Sequence, residues 1–187
     1  MLEDLSQHVL DIAENSVAAG ARNVVVEIRE DVPRNLLAMC VEDDGRGMSP
    51  DFLARVTDPF TTSRTERRVG MGLPFLKQSA ELCGGSFDIR SEVGKGTRTE
   101  AVFLYDSIDR PPLGNMPETV MALFMGHPEI DWTYRHVCGA EEFVLTTAEL
   151  LDVLEDRELL RSVDVGLWIR DQVAGALAEL RWEAPEG

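Results

Sequence analysis

The first twenty residues repeat apolar side chains at helical intervals. Leu5, Val9, Ala13 and Val17 recur every fourth position, and Ile12 joins the same stripe. This spacing predicts a helix over residues 2–19, which Gly20 terminates. Polar residues interrupt this stripe, and their side chains project from the helix in one common direction.

Short apolar or β-branched runs follow the first helix. Residues 23–29 and 36–42 flank a turn at 33–35, which predicts an antiparallel strand pair. A helix is predicted over 73–82, and strands over 86–91 and 97–105 flank a glycine turn at 94–96. Helices on one face of a mixed or antiparallel sheet predict an α+β fold, a two-layer α/β sandwich.

Composition changes at residues 106–115, where Pro111, Pro112 and Gly114 predict a linker. Beyond it we predict a helix over 117–125, a hairpin of 132–137 with 142–146, and a last helix over 163–182. Thr146 and Glu149 form a capping-box pattern before a further helix. We therefore predict two units, residues 1–107 and a small acidic C-terminal α+β module at 108–187. The second unit carries 6 Lys/Arg against 16 Asp/Glu, and we interpret this helix–hairpin–helix module as a docking or homodimerisation element.

Charge and cysteine usage exclude several classes of partner. The net charge of −16 opposes binding to nucleic acid or to anionic membranes. No apolar run is long enough to span a bilayer, and the acidic N-terminus does not resemble a secretory signal. Three widely separated cysteines are typical of the reducing cytoplasm. We expect a cytoplasmic protein.

Polar residues and glycines form a candidate site along residues 8–97. Asp11 and Asn15 project in nearly the same direction from the first helix. Asp43 follows a predicted strand and precedes Gly45 and Gly47, which allow the backbone to approach a ligand ring closely. Taken singly, these features are also those of a solvated helix face and a hairpin turn.

Two further glycine-rich stretches complete the pattern. Gly70-Met71-Gly72-Leu73 opens a predicted helix, where free amides and the helix dipole favour phosphate. The preceding residues 58–68 carry three arginines and suit a lid over phosphates. The last stretch, residues 91–97 with sequence SEVGKGT, ends on Thr97.

The order and spacing of these motifs resemble the GHKL superfamily of gyrase, Hsp90, histidine kinases and MutL. The resemblance covers about residues 2–105, and residues 59–97, with P-F-T-T, G-x-G-L, C-G-G and S-x-x-G-x-G-T, are most similar to bacterial sensor histidine kinases. It implies the Bergerat fold, with ATP and Mg²⁺ as ligands. It implies Asp11 as the general base, Asn15 as the Mg²⁺ ligand, and Asp43 as the residue that reads adenine. The other nucleotide-binding residues that it implies are Gly45, Gly47, Met48, Phe60, Thr62, Arg64, Gly70, Met71, Gly72, Leu73 and Thr97, and Arg67 and Arg68 are alternatives to Arg64 in the lid.

Three functions fit this resemblance. Because the motif around Asn15 begins within the first turns of the chain, we expect a stand-alone ATPase or kinase domain without the phosphoacceptor hairpin of sensor kinases. Such a domain would be a transferase in signal transduction that acts on, or regulates, a partner protein. The alternatives are an anti-sigma-type serine kinase and a non-catalytic nucleotide sensor. An aspartate at position 11, where relatives that hydrolyse ATP carry glutamate, favours slow or partner-dependent chemistry.

Overall fold

The computed structural model describes residues 4–58 and 72–180, which form six α-helices, six strands and a 3-10 helix. Each helix and strand that the sequence pattern predicts is found, whereas the short helix after residue 49 and the 3-10 helix were not predicted. The helices are α1 (Leu5–Ala18), α2 (Pro50–Leu53), α3 (Gly72–Leu82), α4 (Met116–Gly126), α5 (Thr147–Leu154) and α6 (Val163–Glu179), and the 3-10 helix spans Arg157–Arg161. The strands are β1 (Asn23–Asp31), β2 (Leu36–Asp43), β3 (Ser86–Glu92), β4 (Gly96–Leu104), β5 (Asp131–Cys138) and β6 (Glu141–Thr146).

Helix ends are set by short-range hydrogen bonds. The Asp4 carboxylate accepts from the backbone N–H of Gln7 at 3.0 Å and so caps the first turn of α1. Gly20, with φ +75°, follows the last turn of α1. The predicted capping box of α5 is confirmed, because Thr146 and Glu149 each accept from the other's backbone N–H.

The described strands form one mixed sheet in the order β3-β4-β2-β1-β5-β6. The predicted antiparallel pairs β1–β2, β3–β4 and β5–β6 are confirmed, and β2 also pairs antiparallel with β4. In this register Asp43 on β2 lies opposite Thr97 on β4, which in turn lies opposite Ser91 on β3. The ends of β2 and β3 and the start of β4 therefore lie together beside α1.

The helices cover one face of the sheet. Along β1, Val24, Val26 and Ile28 are buried, whereas the alternate residues Val25 and Arg29 are exposed. The opposite face carries ion pairs, including Arg98 with Glu42 and Glu100, and Arg135 with Glu27 and Glu142. Exposed pairs of this kind contribute little to stability. The predicted α+β two-layer sandwich is confirmed.

The predicted C-terminal module joins the same sheet and the same apolar core as the preceding residues. Strand β5 pairs parallel with β1, so that Val24 lies opposite Trp132, and both side chains belong to one buried cluster. A polar contact also joins β5 to β1. Buried His136 lies with its Nε2 2.7 Å from Glu30 Oε1 and its Nδ1 2.9 Å from the Tyr134 hydroxyl. The hydrogen bond from His136 lowers the pKa of Glu30 although burial of the carboxylate opposes this.

Candidate functional site

Asp43 ends β2 with both carboxylate oxygens held in place. The Ser16 hydroxyl of α1 donates to Oδ2 at 2.7 Å, and the backbone N–H of Gly45 donates to Oδ1 at 2.8 Å. Ser16 is buried and Asp43 is half-buried. Each carboxylate oxygen has a second lone pair for a further donor. The carboxylate is therefore oriented and can still accept from a ligand.

The turn after Asp43 packs so closely on its neighbours that it requires glycine. Gly45 is buried, and a methyl group there would lie 2.9 Å from both the Ala19 side chain and Asp43 Oδ1. Gly47 has φ +66°, and a side chain on it would strike the Glu92 carbonyl oxygen. Gly96 has φ +103°, and a side chain on it would strike the Asp43 carbonyl oxygen. Only glycine combines these angles with this approach.

Ser91 links the turn after β2 to the start of β4. Its hydroxyl accepts from the backbone N–H of Met48 at 2.8 Å and donates to the Gly96 carbonyl oxygen at 2.9 Å. It also lies 2.9 Å from the Thr97 hydroxyl. Met48 and Thr97 are thus brought together through a residue that the sequence analysis did not select. Ser16 directly follows Asn15 and Ser91 opens the quoted stretch 91–97, but serine is too common for its position alone to mark a role.

Asp11 on α1 lies against the start of α3. A methyl group on Gly72, the first residue of α3, would lie 2.9 Å from Asp11 Oδ2. Desolvation by burial, and then the negative charge of Glu14, raise the pKa of the Asp11 carboxyl. Leu73, the next residue of α3, is buried in the core. Packing of Leu73 thus holds the N-terminus of α3 beside Asp11.

Asn15 lies on α1 between these two contacts. It is one turn beyond Asp11 and directly precedes Ser16, which contacts Asp43. Its side chain is half-buried and ends in an amide oxygen, a group that can serve a ligand. The neighbouring Glu14 carboxylate instead lies 2.9 Å from His127 Nε2 at the end of α4.

Five of the predicted nucleotide-binding residues lie outside the part of the chain that the structure describes. They stay predictions, as do the lid alternatives Arg67 and Arg68: Phe60, Thr62, Arg64, Gly70 and Met71.

Residues 2–107 match the family model described as histidine kinase-, DNA gyrase B-, and HSP90-like ATPase. The chain belongs to this family. The predicted membership in the GHKL superfamily is confirmed.

Curated relatives of this GHKL protein include sensor proteins and kinases. It is 30% identical over 103 residues to a putative sensor protein of Shewanella frigidimarina, covering 54% of this chain and 16% of the relative. It is 30% identical over 98 residues to sporulation kinase C of Bacillus subtilis, covering 52% of this chain and 23% of that kinase. The chain thus spans less than a quarter of the length of these relatives.

Solved structures share the fold of this GHKL protein. The N-terminal domain of a DNA repair protein superposes with a TM-score of 0.54 at 13% identity, covering 78% of this chain and 53% of that one. The MutL ATPase domain of Aquifex aeolicus complexed with ADP has a TM-score of 0.50 at 17% identity, covering 84% and 69%. Both superpositions cover more of the chain than the family model does, so the shared fold includes part of the C-terminal segment.

A cavity of about 260 Å³ opens where β2 and β3 end and β4 begins. Asp43, Ser91 and Thr97 line it together with charged side chains that include Arg98. Two of the predicted nucleotide-binding residues, Asp43 and Thr97, therefore border one cavity, whereas Asp11, Asn15 and Gly72 are not among its lining residues.

None of the described helices is both long and apolar enough to cross a membrane.

His8 is a buried base on α1 that makes the fold sensitive to acid. Its side chain is 0% exposed, and neither ring nitrogen has a hydrogen-bond partner among the described residues. Burial lowers its pKa to about 4, although the charge of Asp4 acts in the opposite direction. Below pH 6.5 the unfolded chain takes up a proton at His8 that the folded chain does not. Acid therefore favours unfolding until the pH reaches the folded pKa.

We predict that His8→Leu makes stability less dependent on pH. Between pH 7.5 and 5 the free energy of unfolding of the wild type should fall by about 2 kcal/mol more than that of the variant. Urea denaturation at both pH values measures this difference. Equal pH dependence of the two proteins would contradict the assignment of the acid-sensitive group to His8.

Proposed function

We propose that this GHKL protein binds Mg-ATP between α1, the end of β2 and the start of α3, and uses it to act on or regulate a partner protein. The observation that carries the proposal is that α1 contacts both other elements. Ser16 donates to Asp43 at 2.7 Å, and Asp11 packs against Gly72. Asn15 lies between these contacts on the same helix.

Asp43 is proposed to accept the exocyclic amine of adenine. Its two oxygens are already oriented by Ser16 and Gly45, so a ligand amine meets an acceptor in a fixed position. Gly47 and Thr97 line the same side, with Met48 held by Ser91. Orientation before binding reduces the entropic cost of recognition.

Asn15 and the start of α3 are proposed to hold the metal and the phosphates. Mg²⁺ prefers oxygen ligands and retains phosphate oxygens and water among them, so one amide oxygen fits such a site. A side chain on Gly72 would crowd Asp11, and the backbone N–H groups at the start of a helix favour phosphate. Bound Mg-ATP would supply a transferable phosphoryl group whose charge the metal offsets. Arg64, or Arg67 or Arg68 in its place, is proposed to neutralise the phosphates from the predicted lid, which lies outside the described residues.

Asp11 is proposed as the general base. Burial raises the pKa of its carboxyl, which makes the ionised group a stronger proton acceptor at neutral pH. It would take the proton from a water molecule or from an acceptor side chain. Glu14 is one position from Asn15 but its carboxylate contacts His127, so it is the weaker candidate.

The relatives support a partner protein. The similar proteins include sensor proteins and sporulation kinases, and those names suggest signal transduction by phosphoryl transfer. We propose a cytoplasmic protein, because none of the three cysteines, all of which are buried within the described residues, forms a disulfide.

Incubation with γ-labelled ATP, alone and with the products of neighbouring genes, tests this proposal. Acid-labile label on a partner indicates transfer to histidine, and acid-stable label indicates transfer to serine. Free phosphate alone indicates an ATPase, and tight binding without label or phosphate leaves a nucleotide sensor. No ATP binding by the folded protein would refute the proposal.

We predict that Asp11→Asn lowers the rate of phosphate release or transfer by at least about tenfold while ATP affinity changes little. The variant retains the shape of the side chain but cannot accept a proton. Glu14→Gln is the matched control, because it removes a neighbouring carboxylate that contacts His127, and its rate should stay near that of the wild type. Equal loss in both variants would assign the effect to charge and not to a base.

A further inference from the structure

An apolar groove lies between the two C-terminal helices. We call it the α5–α6 groove, and its walls come from α5, the first turns of α6 and the end of β6. Its volume is about 530 Å³. Most of its lining is apolar, contributed by Val144, Leu150, Val153, Leu154, Val165 and Trp168.

Two apolar side chains of the groove are exposed to solvent. Trp168 is 49% exposed and Val153 is 82% exposed, whereas Trp132 of the sheet is 1% exposed. Exposed apolar patches of this kind mark interaction sites. Tryptophan contributes most to binding energy where a partner can cover it. The groove therefore has the features of an uncovered interface.

The surroundings of the groove are acidic. Residues 144–168 carry six Asp/Glu and two Arg, and Glu149 and Asp164 line the groove itself. Both arginines are paired within the chain. Arg157 donates to the Pro128 carbonyl oxygen at 2.8 Å and to Asp131 at 2.6 Å, and Arg161 lies 3.6 Å from Glu158. A second copy of the chain would bring the same negative charge, and so would an anionic membrane.

We propose that the α5–α6 groove binds an amphipathic helix of a partner protein whose apolar stripe is flanked by Lys and Arg. The apolar stripe would cover Trp168 and Val153, and the basic flanks would meet Glu149 and Asp164. A helix satisfies its backbone hydrogen bonds internally, whereas an extended peptide would place unpaired backbone groups against an apolar wall. None of the groove residues belongs to the proposed nucleotide site, so this inference stands apart from ATP binding.

Titration of the full chain with two synthetic helical peptides, in the absence of nucleotide, tests the groove. Both peptides carry leucine at positions i, i+3, i+4 and i+7, and one has lysine and the other glutamate on the flanks. The lysine peptide should bind at least about tenfold more tightly than the glutamate peptide, with an advantage that shrinks as salt is added. Isothermal titration calorimetry measures both affinities.

Groove variants distinguish this site from general attraction to an acidic protein. Val153→Asn and Trp168→Ala should each lower the affinity for the lysine peptide by at least about tenfold. Ile108→Asn is the matched control, because Ile108 is 98% exposed and does not line the groove, and it should bind like the wild type. Circular dichroism verifies that all three variants are folded.

Three results would overturn the proposal. They are absence of binding, equal affinity for the two peptides, and binding that the groove variants do not change. Sedimentation of the protein alone gives a further test. A concentration-dependent dimer that Val153→Asn dissociates would assign the groove to a second copy and not to a basic helix.

Discussion

Replacing Asp43 with asparagine is expected to weaken ATP binding by roughly tenfold to a hundredfold, the range of about 1.5 to 3 kcal/mol for a hydrogen bond to a charged group. The asparagine oxygen can still accept from the Gly45 N–H, and its amide can donate to the Ser16 hydroxyl. The fold should therefore persist. The loss arises because the variant no longer offers a charged acceptor at the end of β2.

Glu100→Gln is the control for charge. It removes the same unit of negative charge on β4, where the carboxylate contacts Arg98 at 2.8 Å on the sheet face opposite the helices and does not line the cavity beside Asp43. Its ATP affinity should remain within about twofold of the wild type, because exposed charges are screened. Calorimetric titration with ATP provides the affinities. Unchanged affinity in a folded Asp43→Asn protein would remove Asp43 from the adenine site.

Replacing Gly96 with alanine is expected to lower the free energy of unfolding by more than about 3 kcal/mol and to abolish ATP binding at concentrations that saturate the wild type. Two effects combine. Gly96 has φ +103°, and a side chain on it would strike the Asp43 carbonyl oxygen. The strand that carries Asp43 would have to move, and backbone cannot yield as a flexible side chain can.

Gly94→Ala is the control, because it has a left-handed backbone angle without the steric collision that occurs at Gly96. Gly94 stands in the same turn with φ +79°, but a side chain there has nothing within 4 Å. Its cost should be about 1 kcal/mol, the cost of the left-handed angle alone, and ATP binding should be retained. Urea denaturation and ATP titration of both variants measure the two effects. Equal losses would show that the close approach to Asp43 contributes nothing.

Most helices and strands were predictable because their signals are local. Leu5, Val9 and Ile12 repeat with the period of a helix, and Thr146 with Glu149 predicts where α5 begins. The turns beside Asp43 were predictable where a motif requires unusual backbone angles, as at Gly47 and in the glycine turn at 94–96. The order of those motifs along the chain predicts the family, and the family model over residues 2–107 confirms it.

The sequence pattern did not predict the partners of the site residues. Ser16 reaches Asp43, 27 positions away, only because α1 packs on the end of β2. Ser91 joins Met48 to Thr97 because β3, β4 and the turn after β2 end at one edge. A hydroxyl carries no sequence signal for which distant group it will meet.

The sequence by itself determined the periods of the helices and strands, their caps, and the glycines that the turns near Asp43 require. The tertiary structure decided that β5 pairs parallel with β1, which places His136 beside Glu30 across 106 positions. It also decided which α5 and α6 side chains line an open groove. The physical reason is that local signals act through neighbouring backbone atoms, whereas parallel pairing and helix packing depend on burying one common apolar core.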